Sequence, residues 1–321
     1  MLAFANFGCL SIKPRPAHTA ILWAVMGLFL ALSPAATRGD DNIYVSNANS
    51  PVGEYTTSGA TVNASLISGI YHPHGIAISG TNLFVVSAGS GTIGEYSTSG
   101  AAVNATLVSG LGTPEGIALS GPDLFVVNYA TGKVGEYTTS GATVNASLIT
   151  GLNEPQEIAV SGSNLFVSSQ GTNTVGEYTT SGSTVNSSLI TGLSNPFGVA
   201  ISGSDLFVAN ISTGTIGEYT TSGVVVNSSL VSGLSDPDGI AIDGNDLFVS
   251  NGGGTYGIGE YTLQGATVNA SLFNTGQAAW DVTVVPEPAT AAILIFACPI
   301  LLMRKRARRH HSITESATNS W

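Results

Sequence analysis

Charge is what this chain has least of. Only 9% of its 321 residues are Asp, Glu, Lys or Arg, where about 25% is ordinary for a globular protein. Cations are scarcer still. Of nine Lys and Arg residues, three (Lys13, Arg15, Arg38) stand near the N-terminus and five (Arg304, Lys305, Arg306, Arg308, Arg309) near the C-terminus. Between Asp40 and Pro286 only Lys133 faces eighteen acidic residues, a formal charge of −17. A phosphate backbone is repelled by such a surface, so nucleic-acid binding is excluded. The two cysteines, Cys9 and Cys298, lie in the terminal segments. The middle therefore has no disulfide to support it. Apolar runs of the roughly 20 residues that a spanning helix needs are missing too.

Gly, Ser, Thr and Asn take the place of the charges, which suits short strands and tight turns rather than long surface helices. The tripeptide Gly-Glu-Tyr recurs at Gly53, Gly94, Gly135, Gly176, Gly217 and Gly259, in steps of 41, 41, 41, 41 and 42. An Asn-centred motif keeps pace with it at Asn63, Asn104, Asn145, Asn186, Asn227 and Asn269. A fixed period near 40 means a propeller or a solenoid.

One unit, GVAISGSDLFVANISTGTIGEYTTSGVVVNSSLVSGLSDP, parses into four strands: GVAI, LFVA, TIGEYT and VVVNSSLV. Four strands in about 40 residues is the arithmetic of a propeller blade. The array opens at NIYVSN, which matches the second strand of a unit, and closes at Asp281–Val284, which matches the first. The expected fold is all-β: a six-bladed β-propeller over 40–285, with the strand at 281–284 completing the blade that the N-terminal strands begin. Closure leaves no exposed sheet edge at the seam. The Pro-x-Gly-Ile-Ala…Leu-Phe-Val pattern resembles the NHL, YVTN and streptogramin-lyase group of propellers.

The ends look like addresses. Residues 20–32 form a thirteen-residue apolar run behind Lys13 and Arg15, the layout of a signal peptide over 1–39. Near the C-terminus stand Pro286, Glu287 and Pro288, then an apolar segment at 289–303, then a cluster led by Arg304, Lys305 and Arg306. That ordered triple resembles the PEP-CTERM sorting signal, also called the ice-binding protein C-terminal motif. The resemblance implies a bacterial envelope protein, anchored at least transiently with its basic residues cytoplasmic. It also implies an exosortase-type enzyme as partner and an association with exopolysaccharide or biofilm. Twelve further residues, 310–321, follow the basic cluster as an expected disordered tail. A short helix at each terminus and a monomer are expected.

Chemistry is best sought where the copies disagree. The largest disagreement precedes the first strand of each unit: His72-Pro-His74, Thr113-Pro-Glu115, Glu154-Pro-Gln156, Asn195-Pro-Phe197, Asp236-Pro-Asp238 and Ala278-Ala-Trp280. First strands line a propeller's channel, so these residues are expected to ring one mouth of it. The candidate ligand surface is His72, His74, Glu115, Glu154, Phe197, Asp236, Asp238 and Trp280. Glu157 and Asp281 replace a Gly found in the other four copies. No cofactor is expected. The alternative is a divalent cation on His72 and His74 with Glu115 or Asp238, since imidazole and carboxylate are ordinary ligands.

Three functions fit. The first is a non-catalytic scaffold with a polar binding mouth. The second is a metal-dependent enzyme like a streptogramin lyase or lactonase. The third is polysaccharide binding at Phe197 and Trp280. The repeated Glu of Gly-Glu-Tyr, with one Lys to serve six copies, is expected to be solvated, hydrogen-bonded or cation-bound.

Overall fold

A computed structural model of the chain describes residues 40–48, 50–254 and 256–285. The signal segment, the sorting residues Pro286 to Arg306, the terminal helices and the tail fall outside the described residues. Among those described, no helix is long and apolar enough to cross a membrane.

The described residues form twenty-four strands, β1 to β24 in chain order, arranged as six four-stranded antiparallel sheets. The fold is a six-bladed β-propeller. One blade is β4 (Pro73–Ser79), β5 (Asn82–Ser87), β6 (Thr92–Ser97) and β7 (Ala102–Ser109), in that spatial order. In the first blade β24 (Ala279–Val285) pairs antiparallel with β1 (Asn42–Asn47), Val45 opposite Val282, and β2 (Ser50–Thr56) and β3 (Thr61–Ile67) follow. The innermost strands are β4, β8 (Pro114–Ser120), β12 (Pro155–Ser161), β16 (Pro196–Ser202), β20 (Pro237–Asp243) and β24. Each touches the next, and β24 touches β4, so they close a ring.

Period-2 side-chain alternation explains why the second strand is apolar on both faces. In β5, Phe84 and Val86 turn toward the following blade and meet Leu124 and Val126 there. Leu83 and Val85 turn the other way and meet Tyr44 and Val52. Six such clusters form, one per blade interface. The five repeated Phe residues, Phe84, Phe125, Phe166, Phe207 and Phe248, are at most 2% exposed. The first blade uses Tyr44 at that place. Its hydroxyl donates to Glu54 Oε1 at 3.2 Å and lies 3.3 Å from the Thr98 carbonyl.

Gly-Glu-Tyr has a packing cause. The Tyr ring folds back over the Gly two residues earlier, so a methyl on Gly135 would sit 2.7 Å from the Tyr137 hydroxyl. The Glu between them is held within its own blade: Glu95 and Glu177 each accept from an Asn side chain (Asn82, Asn164) at 2.7 Å. The outermost strand carries a register shift opposite each such Glu. There the Asn side chain accepts the backbone N–H two residues on, as Asn63 does from Ser65 at 3.0 Å. Bulges of this kind blunt exposed edges.

The Thr-Ser-Gly turn joins blades. Gly100 has φ +84°, and a methyl on it would lie 2.5 Å from the Leu66 carbonyl of the preceding blade. Gly59 stands in the same relation to Leu272, which ties the first blade to the last.

Candidate functional site

Five of the six divergent stretches share one backbone. In these five the residue before Pro has a left-handed φ: His72 (+51°), Thr113 (+52°), Glu154 (+50°), Asn195 (+58°) and Asp236 (+47°). In each, its carbonyl accepts an N–H from the residue that follows the second strand, as Ala88 gives to His72 at 2.9 Å and Gly252 to Asp236 at 2.9 Å. A positive φ costs a non-Gly residue on the order of 1 kcal/mol. Because the feature recurs in blades with unlike side chains, it belongs to the architecture. The strands also begin earlier than the sequence pattern suggests, at the Pro itself. The register shifts between Pro73 and Ile76 and at the matching places of the next four blades. Pro lacks an N–H to give the ladder, and a strand's first residue beside a bulge is where that lack is tolerated. His74, Glu115, Gln156, Phe197 and Asp238 are thus bulge residues of inner strands, where loop residues were expected.

Half of the mouth is closed. His74 (4% exposed) places Nδ1 2.5 Å from Oε2 of Glu115 on the neighbouring strand. The contact is a close ion-pair approach rather than an aligned hydrogen bond, since Glu115 Oε2 has no hydrogen-bond partner. Burial pushes the His74 pKa down, against an opposing pull from Glu115 and a smaller push in the same direction from His72. The indole of Trp280 stands edge-on to His74 at 3.7 Å between ring centres and 6.4 Å from His72. Tyr71, which the sequence reasoning did not single out, covers His72 at 4.5 Å. Gln156 is tied to Gln170 at 2.8 Å.

The other half is open. Phe197, Asp236, Asp238, Ala278 and Trp280 line a cleft of about 350 Å³, with Ile211 and Gly252 completing it. Trp280 thus belongs to both halves. Burial, then the charges of Asp236 and Asp281, push the Asp238 carboxyl up to about 8. Glu154 is exposed and lines neither half. Ile211 could have been found by the same test of disagreement, applied one loop further on, where the copies read Ala88, Tyr129, Gln170, Ile211 and Gly252.

Deeper in, Glu157 and Asp281 line a channel cavity of about 180 Å³. They belong to β12 and β24, three blades apart in a ring of six, and so face each other across the channel. Each fits because its neighbour is Gly: a methyl on Gly239 would lie 2.6 Å from Asp281 Oδ1, and Gly116 is equally close under Glu157. Asp281 Oδ2 accepts the Ile76 N–H at 2.9 Å, and Glu157 Oε1 the Ile158 N–H at 3.0 Å. Each keeps some accessible surface in the channel, yet protein surrounds it on every side. Burial raises the Asp281 carboxyl to about 7 despite those N–H groups. Burial, with Asp281 opposite, raises Glu157 well above the usual carboxylate range.

Among the described residues no group of three or more His, Cys, Asp or Glu side chains gathers as a metal set does. His74 and Glu115 are brought together, whereas the indole of Trp280 lies beside both His74 and His72.

No family model matches the chain, and no curated protein matches it in sequence. Solved structures share its fold. A chain of the nidogen/laminin complex aligns with TM-score 0.66 at 16% identity, over 77% of this chain and 98% of that one. A streptogramin B lyase aligns with TM-score 0.57 at 19% identity, over 77% and 88%. A gluconolactonase from Xanthomonas campestris aligns with TM-score 0.58 at 16% identity, over 78% and 90%. Identities this low carry the fold and nothing of the site.

Proposed function

We propose that this chain is an exported, envelope-held propeller that binds a glycan at one channel mouth and performs no chemistry on it. The observation that carries this reading is the open cleft, where Phe197 and Trp280 stand with Asp236 and Asp238. Aromatic side chains offer apolar faces for the C–H faces of sugar rings, and carboxylates accept from sugar hydroxyls. Concave sites with apolar walls and a few convergent polar groups are the usual form of a small-ligand pocket. Export is supported by the apolar run at 20–32 and by the ordered tail of Pro-Glu-Pro, apolar segment and basic cluster. In this reading an exosortase-type enzyme handles the tail, and exopolysaccharide supplies the ligand.

Two measurements test it. Fractionation of cells expressing the chain should place it in the envelope, and a Pro286→Ala/Glu287→Ala/Pro288→Ala variant should change its processed size. A cytoplasmic chain sinks the export half. A glycan array probed with the full chain in mild detergent should give hits that Trp280→Ala loses. An array without hits sinks the binding half.

A metal-dependent enzyme is the second reading. Its support is the buried His74–Glu115 pair at the channel mouth and the fold shared with a lyase and a lactonase. Stoichiometric transition metal in the purified chain, lost in His72→Ala/His74→Ala, would put that reading first.

A further inference from the structure

Resting on the glycan reading, we infer that the open cleft selects sugars that carry a protonated amine. The argument starts from which acidic groups the protein itself satisfies. Glu115 has His74 at 2.5 Å. Asp281 and Glu157 have the N–H groups of Ile76 and Ile158. Glu95 and Glu177 have Asn side chains. By contrast, among the described residues the side-chain oxygens of Asp236 and Asp238 accept no hydrogen bond from the protein, and no cation pairs with them. They are two residues apart, and they repel each other.

Nor is there a cation nearby to borrow. Lys133 is the domain's one Lys or Arg, and its ammonium is engaged by Ser147 at 3.1 Å, on the outer part of another blade. The cleft therefore has two carboxylates and two aromatic rings in its lining and nothing of positive charge. Ligand classes differ sharply in what they do to that arrangement. An anionic sugar adds repulsion. A neutral sugar removes water from the pair and offers no counter-charge, so Asp238, its carboxyl raised to about 8, stays protonated and Asp236 loses solvation. An ammonium group on the sugar neutralises them through charge-assisted hydrogen bonds. It also sits against aromatic faces, which attract cations. A bare divalent ion gains nothing from Phe197 and Trp280. Burial and the charges of Asp236 and Asp281 raise the Asp238 carboxyl to about 8, so an ammonium ligand would bind with release of its proton.

Calorimetry with the full chain in mild detergent at pH 6 tests this, using three hexasaccharides: glucosamine, N-acetylglucosamine and galacturonate. The first two differ mainly in the amine's charge. The glucosamine form should bind tighter than the N-acetylated form by about tenfold or more. In Asp236→Asn/Asp238→Asn the preference should vanish while the N-acetylated form still binds. Circular dichroism, expected unchanged, checks that this variant is folded.

Equal or reversed affinities in the native chain overturn the amine inference and leave glycan binding standing. A preference that survives the double Asn variant overturns it as well. Stoichiometric calcium binding that is lost in that variant assigns the carboxylates to a metal ion and also overturns it. No binding of any of the three sugars overturns both readings together.

Discussion

The blade bodies and the channel mouth use the same repeat in opposite ways. In the bodies, side chain and backbone agree from copy to copy. Leu, Phe and Val of the second strand fill the same interfaces, Gly makes room for the same Tyr ring, and Asn closes the same bulge. At the mouth the backbone agrees and the side chains do not. Five blades hold the same left-handed turn while carrying His, Thr, Glu, Asn and Asp on it. The contrast teaches where packing constrains a sequence. A side chain wedged between two blades has nearly one solution, Phe in five blades and Tyr44 in the first. A side chain at the mouth meets only the divergent residues of neighbouring blades, so no repeated packing partner fixes its identity. Asp236 and Asp238, without a hydrogen bond from the protein, stand at the mouth, whereas Glu95 and Glu177 in the bodies are held by Asn side chains.

The largest break in that comparison should come from the body. Phe207→Ala removes a ring that is 1% exposed between two blades. It should cost about 3–5 kcal/mol in urea unfolding. A loss below 1 kcal/mol would mean that the interfaces do not carry the fold.

Channel substitutions should go the other way. Raised carboxyl pKa values mean that the folded protein binds protons more tightly than the unfolded chain. That stability is present below the unfolded carboxylate range, near 4, and is lost as pH rises through the folded values. For Asp281 and Asp238 these are about 7 and about 8. Unfolding midpoints should therefore fall between pH 5 and pH 9. Asp281→Asn/Glu157→Gln should flatten that slope and stabilise the protein at pH 8 by about 1–3 kcal/mol. A flat profile in the parent protein would contradict the buried placement of the two groups.

Tyr44→Phe sharpens the comparison by giving the first blade the residue of the other five. It removes the hydroxyl that donates to Glu54 and should cost about 1 kcal/mol. The smallest effect belongs to the rim. Asn104→Ala loses the contact with the Thr106 N–H at 3.2 Å. It sits on an exposed edge and should cost about 0.5 kcal/mol by thermal melt. A loss as large as that of Phe207→Ala would show the bulge to be central to the blade.

Much of the fold was legible because its signals are local and repeated. Turn glycines, two-residue alternation and a period of 41 are properties of neighbouring residues. Strand starts were less so: Pro73 and its counterparts looked like loop, and only the paired second strand reveals a bulge within β4 and its equivalents. The candidate site was legible in part. Disagreement between copies pointed to residues several of which gather at the mouth, but the copies do not announce their partners. That His74 meets Glu115 while Asp238 meets Phe197 and Trp280 depends on neighbours in other blades. Tyr71 and Ile211 went unremarked because one carries no conventional chemistry and the other sits in a different loop.

By itself, then, the sequence determined the class of fold, the number of blades, and the limit of one Lys or Arg to the whole propeller. These follow from periodicity and composition, which need no third dimension. Only the tertiary structure decided which divergent residues meet, that Glu157 and Asp281 face each other across one channel, and that Asp236 and Asp238 have no counter-charge among the described residues. Those are statements about distance between blades far apart in the chain, and ring closure alone brings them together.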